Sequence, residues 1–340
     1  MRKLLNTLYI TTPESYLSKD GMNVVVSVKQ VETFRIPIIN IESIVTFGYM
    51  GASPGLMKLC ADNGVALTFL SPSGRFVSRV QGPTKGNVLL RKRQYQLNED
   101  VEYTLAISRL FIAGKIQNYR SVLRRFIRDH GESVEVTDAV RVLERCRREA
   151  LVTGGIDELR GIEGGAANIY FSVFSNLIIN QKTDFIFKGR NRRPPKDAVN
   201  AMLSFAYTLI ANDVSAALET VGLDPYVGFM HKLRPGRTSL ALDMMEELRA
   251  YLGDRFVLSL INRRQISKGD FLKQGEESIV MTDNGRKIFL TAWQTRKKEE
   301  IIHPYLNEKI PIGLLPYVQS MLLARYIRND IDNYPVFLIK

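Results

Sequence analysis

Cysteine, histidine and tryptophan are scarce: the 340 residues hold two, three and one of them. Cys60 and Cys146 lie far apart in the chain, which excludes a disulfide scaffold and a cysteine-based zinc site and fits a reducing cytoplasm. No continuous apolar run of about 18 residues occurs, so no membrane-spanning helix is expected. The basic start MRKLLNTLYITTP has only a short apolar stretch, interrupted by Asn6 and Thr7, and reads as a strand rather than a secretory leader. A phosphate-binding Walker loop and a dinucleotide G-x-G-x-x-G fingerprint are absent. Serine-hydrolase chemistry is not expected either.

What is present is globular and basic. Hydrophobic residues make up 45% and charged residues 24%, which excludes a disordered chain. Forty-seven Lys and Arg against 35 Asp and Glu give a formal charge of +12. Such an excess attracts polyanions: DNA, RNA or an anionic membrane.

Along the chain, Leu8–Thr12, Asn23–Val28, Thr33–Ile38, Ser43–Phe47, Val65–Leu70 and Arg75–Val80 read as strands, being rich in Val, Ile, Thr, Phe and Tyr and bounded by turn residues. A short helix from Pro54 to Ala61 sits between two of them, which implies a parallel crossover. After Gln81-Gly82-Pro83-Thr84-Lys85-Gly86 the pattern turns helical, with helices expected near 87–97, 101–116, 117–130, 137–151, 155–181, 197–221, 239–252 and 312–328. Asp283-Asn284-Gly285 looks like a turn. The expected fold class is α+β: a small β-rich N-terminal domain (1–80), a linker (81–86) and a larger all-α catalytic domain (87–340).

Basic residues cluster in the helical part, at Arg91-Lys92-Arg93, at Arg124, Arg125 and Arg128, at Arg145, Arg147 and Arg148, and in the loop 188–196. No long basic helix with an aromatic face appears, so nucleic acid is favoured over a membrane. The candidate DNA contacts are Lys188, Arg190, Arg192 and Arg193 of that loop, with Arg234 and Arg237 further on.

Three acidic segments are candidates for chemistry. Glu163 opens Glu163-Gly164-Gly165-Ala166-Ala167, where glycines that cost a helix about 1 kcal/mol each leave room for another backbone or a ligand. Gly222-Leu223-Asp224-Pro225-Tyr226-Val227-Gly228-Phe229-Met230-His231 delivers an imidazole after a proline turn. In Ser239–Arg249, Leu242, Met245, Leu248 and Leu252 form an apolar stripe; Glu246 lies about 40° from Leu242 at its edge, and Asp243 is its i,i+3 neighbour. Taken singly, these are a helix start, a core histidine and a surface ion-pair pattern. Together, carboxylates with one imidazole suit Mn²⁺ or Mg²⁺, and a hard cation in a basic domain suits phosphodiester chemistry.

These segments, with Tyr170-Phe171 and Asn200-Ala201-Met202-Leu203-Ser204-Phe205-Ala206-Tyr207, resemble the CRISPR-associated integrase/endonuclease of the spacer-adaptation complex. The N-terminal Thr11-Thr12-Pro13-Glu14-Ser15-Tyr16-Leu17 looks most like subtype I-C members. The resemblance covers essentially the whole chain. It implies that Glu163, His231 and Glu246 are metal ligands, with Asp243 as support or an auxiliary ligand. One departure is Asn168, where family members often carry Arg. The resemblance further implies a homodimer, with dimerisation and DNA-end contact in the N-terminal domain. Two dimers would flank a dimer of a small ferredoxin-like companion protein. A prespacer 3′-OH would attack a phosphodiester at the edge of the CRISPR repeat. The residues alone leave two other readings open: a hydrolytic metal-dependent nuclease and a non-catalytic DNA-binding scaffold.

Overall fold

The computed structural model describes residues 7–48, 50–71, 76–80, 82, 88–191, 194–275 and 278–339. The chain divides into two compact units, Met1–Lys85 with Met281–Glu299, and Gly86–Val280 with Glu300–Lys340. The segment 281–299, expected in the helical domain, therefore belongs with the β-rich unit. Of the 81–86 linker only Gly82 lies within the described residues.

The first unit contains β1 (Thr7–Ile10), β2 (Ser15–Asp20), β3 (Asn23–Val28), β4 (Val31–Pro37), β5 (Ser43–Phe47), β6 (Ala66–Leu70) and β7 (Phe76–Val80). One sheet has the order β1-β5-β6-β7, parallel except for β7; the other is the antiparallel meander β2-β3-β4. The expected crossover between β5 and β6 is α1 (Pro54–Asn63). Gly51-Ala52-Ser53-Pro54-Gly55 spells the G-x-S-x-G string of serine hydrolases, but Ser53 is the N-cap of α1, with its hydroxyl accepting from Leu56 N at 3.2 Å. Strand β2 was not expected. It pairs along its whole length with β3 through the turn at Gly21, whose φ of +55° favours glycine. Leu17, Val24, Val26, Ile44, Leu56 and Leu67 form the centre of this unit's core.

The second unit carries α2 (Val88–Glu99), α3 (Val101–His130), α4 (Val134–Val152), α5 (Ile156–Ser172), α6 (Ala198–Val221), α7 (Ser239–Met245) and α8 (Arg255–Asn262). The 101–130 region is one helix, not two: Asp100 caps it and no proline interrupts it. Helix α5 stops at Ser172, well short of 181. By length and composition alone helix α6 could cross a membrane, but most of it is buried, as in the core helix of a globular unit. The stretch expected as a helix over 239–252 breaks after Met245 and becomes a π-helical turn, Arg249–Asp254.

Helix α9 (Asp283–Lys298) belongs to the first unit, and Asp283-Asn284-Gly285 is its first turn: Thr282 Oγ1 accepts from Gly285 N at 3.0 Å. The unit rich in helices is not all-α. It includes the strand pairs β8 (Phe271–Gln274) with β9 (Ser278–Met281) and β10 (Glu300–Ile302) with β11 (Lys309–Pro311), before α10 (Leu315–Ile327).

Candidate active site

Helix α5 presents Glu163, whose side chain is 23% exposed. A Cβ added at Gly161, Gly164 or Gly165 would meet nothing within 4 Å, so the helix flank around Glu163 is open. Tyr170, seven positions on and on the same face of the helix, is fully buried and stacks on Tyr119 of α3 at 3.9 Å between ring centroids.

His231 is placed by Asp243. The segment after α6 passes so close to α7 that a Cβ on Gly228 would lie 2.6 Å from Asp243 Oδ2 and from the Ser239 carbonyl carbon. The buried Asp243 then accepts from the backbone N–H of Phe229 at 2.6 Å, Met230 at 3.1 Å and His231 at 3.0 Å. Its Oδ1 also lies 2.6 Å from His231 Nδ1. With Nδ1–H donating to that carboxylate, the Nε2 lone pair is left for a ligand. Both Asp243 oxygens are taken up by this work, which makes Asp243 a support for His231.

Glu246 follows α7, and its side chain is buried where that helix ends. Its Oε1 lies 4.0 Å from His231 Nε2 and 3.0 Å from Arg249 Nη2, and its Oε2 lies 2.7 Å from Lys115 Nζ. Lys115, 1% exposed on α3, also pairs with Glu163. Glu163 and Glu246 thus converge on one ammonium. Burial pushes the Glu246 carboxyl up, but the Arg249 and Lys115 cations outweigh it and hold the group at about 2.

Behind Glu246 lies a buried polar layer. Arg249 stacks over Tyr207 at 5.2 Å and Arg190 over the same ring at 5.3 Å. Tyr207 donates to Asp254 Oδ1 at 2.5 Å. Burial pushes the Asp254 carboxyl up to about 6, against the bonds from Tyr207 and Tyr170. It does the same to Glu247, at about 7, against Tyr334, Gln319 and the Phe337 N–H.

Among the described residues, no group of three His, Cys, Asp or Glu side chains is gathered closely enough to hold a metal ion as it stands. The donors nevertheless fit a hard cation: two carboxylates already share one positive charge, the imidazole has a free nitrogen, and Glu246 Oε2 is buried without a well-formed hydrogen bond.

The candidate DNA contacts differ in placement. Lys188 and Arg234 are exposed. Arg237 is half-buried, and burial and Arg234 lower its pKa. Arg190 points inward to Asn200 Oδ1 at 2.7 Å and Ser204 Oγ at 3.1 Å. Arg192 and Arg193 lie outside the described residues. Of the other clusters, Arg125 and Arg128 pair with Asp129, and Arg147 and Arg148 with Glu144. Sequence reasoning missed Lys115, Arg249 and Asp254. A lysine inside the buried run Phe111-Ile112-Ala113-Gly114-Lys115-Ile116 was the available signal.

Two carboxylates on one ammonium, with an imidazole nearby and an open, glycine-lined flank beside them, are the donor types that metal-dependent phosphodiester chemistry uses. The chain belongs to the Cas1 family, for the family described as CRISPR associated protein Cas1 matches residues 8–295. It is 51% identical over 341 residues to CRISPR-associated endonuclease Cas1 1 of Chlorobaculum tepidum, covering 99% of each chain. Its fold is similar to that of a chain in a Cas6-RT-Cas1–Cas2 complex (TM-score 0.84, 20% identity, 100% of this chain and 37% of that one). It is equally similar to a casposase bound to integration product (TM-score 0.84, 22% identity, 98% of this chain and 93% of that one).

Proposed function

We propose that Glu163, His231 and Glu246 hold one Mn²⁺ or Mg²⁺ with which the chain joins prespacer 3′-OH ends to CRISPR repeat DNA. As a Cas1-family member the chain is an endonuclease and integrase of CRISPR adaptation. The observation that carries the ligand assignment is the convergence of Glu163 and Glu246 on one cationic atom, with His231 Nε2 4.0 Å from Glu246.

The ion, when bound, supplies Lewis acidity toward phosphate oxygens and lowers the pKa of a hydroxyl. The chain's own residues do the rest. Asp243 fixes the tautomer and direction of His231. Arg249 keeps Glu246 ionised in a buried setting. The open flank at Gly161, Gly164 and Gly165 leaves room for a DNA backbone beside Glu163, and the exposed Lys188 and Arg234 offer charge to phosphates.

The subtype I-C assignment, a homodimer and the ferredoxin-like companion complete the reading and rest on the sequence resemblance; a cytoplasmic setting without a membrane rests on the two distant cysteines and the lack of a long apolar run in the sequence. The likeness to a Cas1–Cas2 assembly supports the companion through the fold alone.

A labelled prespacer, repeat plasmid, companion protein and Mn²⁺ or Mg²⁺ test it. A donor ending in a 3′-OH is joined and a 3′-dideoxy donor is not, because that oxygen is the nucleophile. Nicking that is equal with either donor or with none identifies hydrolysis instead.

A further inference from the structure

Lys115 stands where the proposed site most needs a cation. Its ammonium is 1% exposed, ion-paired to Glu163 and 2.7 Å from Glu246 Oε2. Arg249 Nη2 lies 3.0 Å from the other oxygen of Glu246. Two carboxylates thus face two fixed cations, and the cluster is balanced before any metal arrives. A divalent ion between Glu163 and Glu246 would sit within a few ångströms of the ammonium, where like charges repel strongly in a buried setting. The same arrangement explains why the three proposed ligands are not gathered as they stand.

We infer that Lys115 is a resident counter-cation that holds the two ligand carboxylates when the metal is absent and weakens metal binding until DNA is present. The inference rests on the metal reading above. Once the metal is in place, Lys115, Arg249 and the ion carry two positive charges more than Glu163 and Glu246 neutralise. Phosphates are the anions that the reaction itself brings, and the flank beside Glu163 is open to them. Metal and DNA therefore bind with positive coupling, and the coupling is reciprocal. It is a charge effect and requires no proton transfer.

The test measures Mn²⁺ affinity of the full chain by electron paramagnetic resonance of free Mn²⁺, with and without a short DNA duplex. Without DNA, K115M and K115Q bind Mn²⁺ at least tenfold more tightly than the wild type, while K115R, which keeps the charge, stays near wild type. Adding DNA tightens wild-type Mn²⁺ binding at least tenfold and that of K115M much less. Thermal melts with and without Mn²⁺ report folding: the neutral variants are less stable without metal and gain more from it. A folded K115M or K115Q with wild-type affinity and the wild-type DNA effect overturns the inference. E246Q separates the two ideas. If Mn²⁺ binding to the wild type survives E246Q unchanged, the metal reading fails and the Lys115 inference falls with it. If E246Q abolishes binding while Lys115 substitutions leave it unaltered, only the Lys115 inference fails.

Discussion

The two carboxylates that share Lys115 live in opposite surroundings. Glu163 sits on a helix flank bordered by glycines with no neighbours, 23% exposed. Glu246 sits at a break between α7 and a π-helical turn, 3% exposed, with Arg249, Lys115 and His231 around it. Open space lets Glu163 adjust to a substrate. Burial among cations fixes Glu246 and keeps it charged, since removing either kind of partner strands a charge away from water. One lip of the site is built for access and its floor for permanence.

The largest expected effect comes from neutralising each carboxylate in turn. E163Q and E246Q each lower metal-dependent DNA joining by more than about 10²-fold, because each removes a proposed ligand. Only E246Q also lowers stability substantially, by about 3–5 kcal/mol, since Lys115 and Arg249 lose a buried partner. Equal melting temperatures for the two variants would erase the contrast between lip and floor.

D243N is expected next. The amide keeps one acceptor but turns a donor toward backbone N–H groups that now bond to Oδ2. A stability loss of about 1–3 kcal/mol and a 10–100-fold fall in Mn²⁺ affinity are expected from calorimetry and metal titration.

The floor should also show in a pH profile. Asp254 titrates near 6 in the fold against 3.8 for its ordinary value, with burial as the cause. A raised acid stabilises the fold below its unfolded pKa and loses that contribution as pH rises through its folded one. Wild-type stability relative to D254N therefore falls between pH about 4 and about 6, by on the order of 3 kcal/mol, and is level above about 7. Denaturant melts at a series of pH values check this; a difference independent of pH means Asp254 is not buried as described.

The smallest effect is at the lip. G164A meets nothing within 4 Å, so helix propensity raises stability by up to about 1 kcal/mol. If DNA uses this flank, joining falls a few-fold with Mn²⁺ affinity unchanged. Full joining by G164A would show that the flank is not the approach.

Periodicity and composition made the β-then-helix order legible, because strands repeat every two residues and helices every 3.6. The glycines after Glu163 were legible because they depart from what a helix needs; the edge position expected for Glu246 assumed a helix over 239–252, and the helix instead ends at Met245 and leaves Glu246 buried. Asp243 was visible as a neighbour of Glu246, but not its four bonds to the 229–231 segment, which depend on Gly228 passing close to α7. The transfer of 281–299 to the first unit was invisible too, since α9 is locally an ordinary helix and only its packing assigns it.

The sequence by itself determined the order of β-rich and helical regions, the positive charge and the types of side chain available for chemistry, since these follow from local backbone preference, turn residues and composition. Tertiary structure decided which of those side chains meet. Lys115, Glu163 and Glu246 come from three separate elements, and Arg190 became an internal bond to Asn200 and Ser204 rather than an exposed charge. Such meetings depend on how helices pack over long separations in the chain, and no local pattern encodes them.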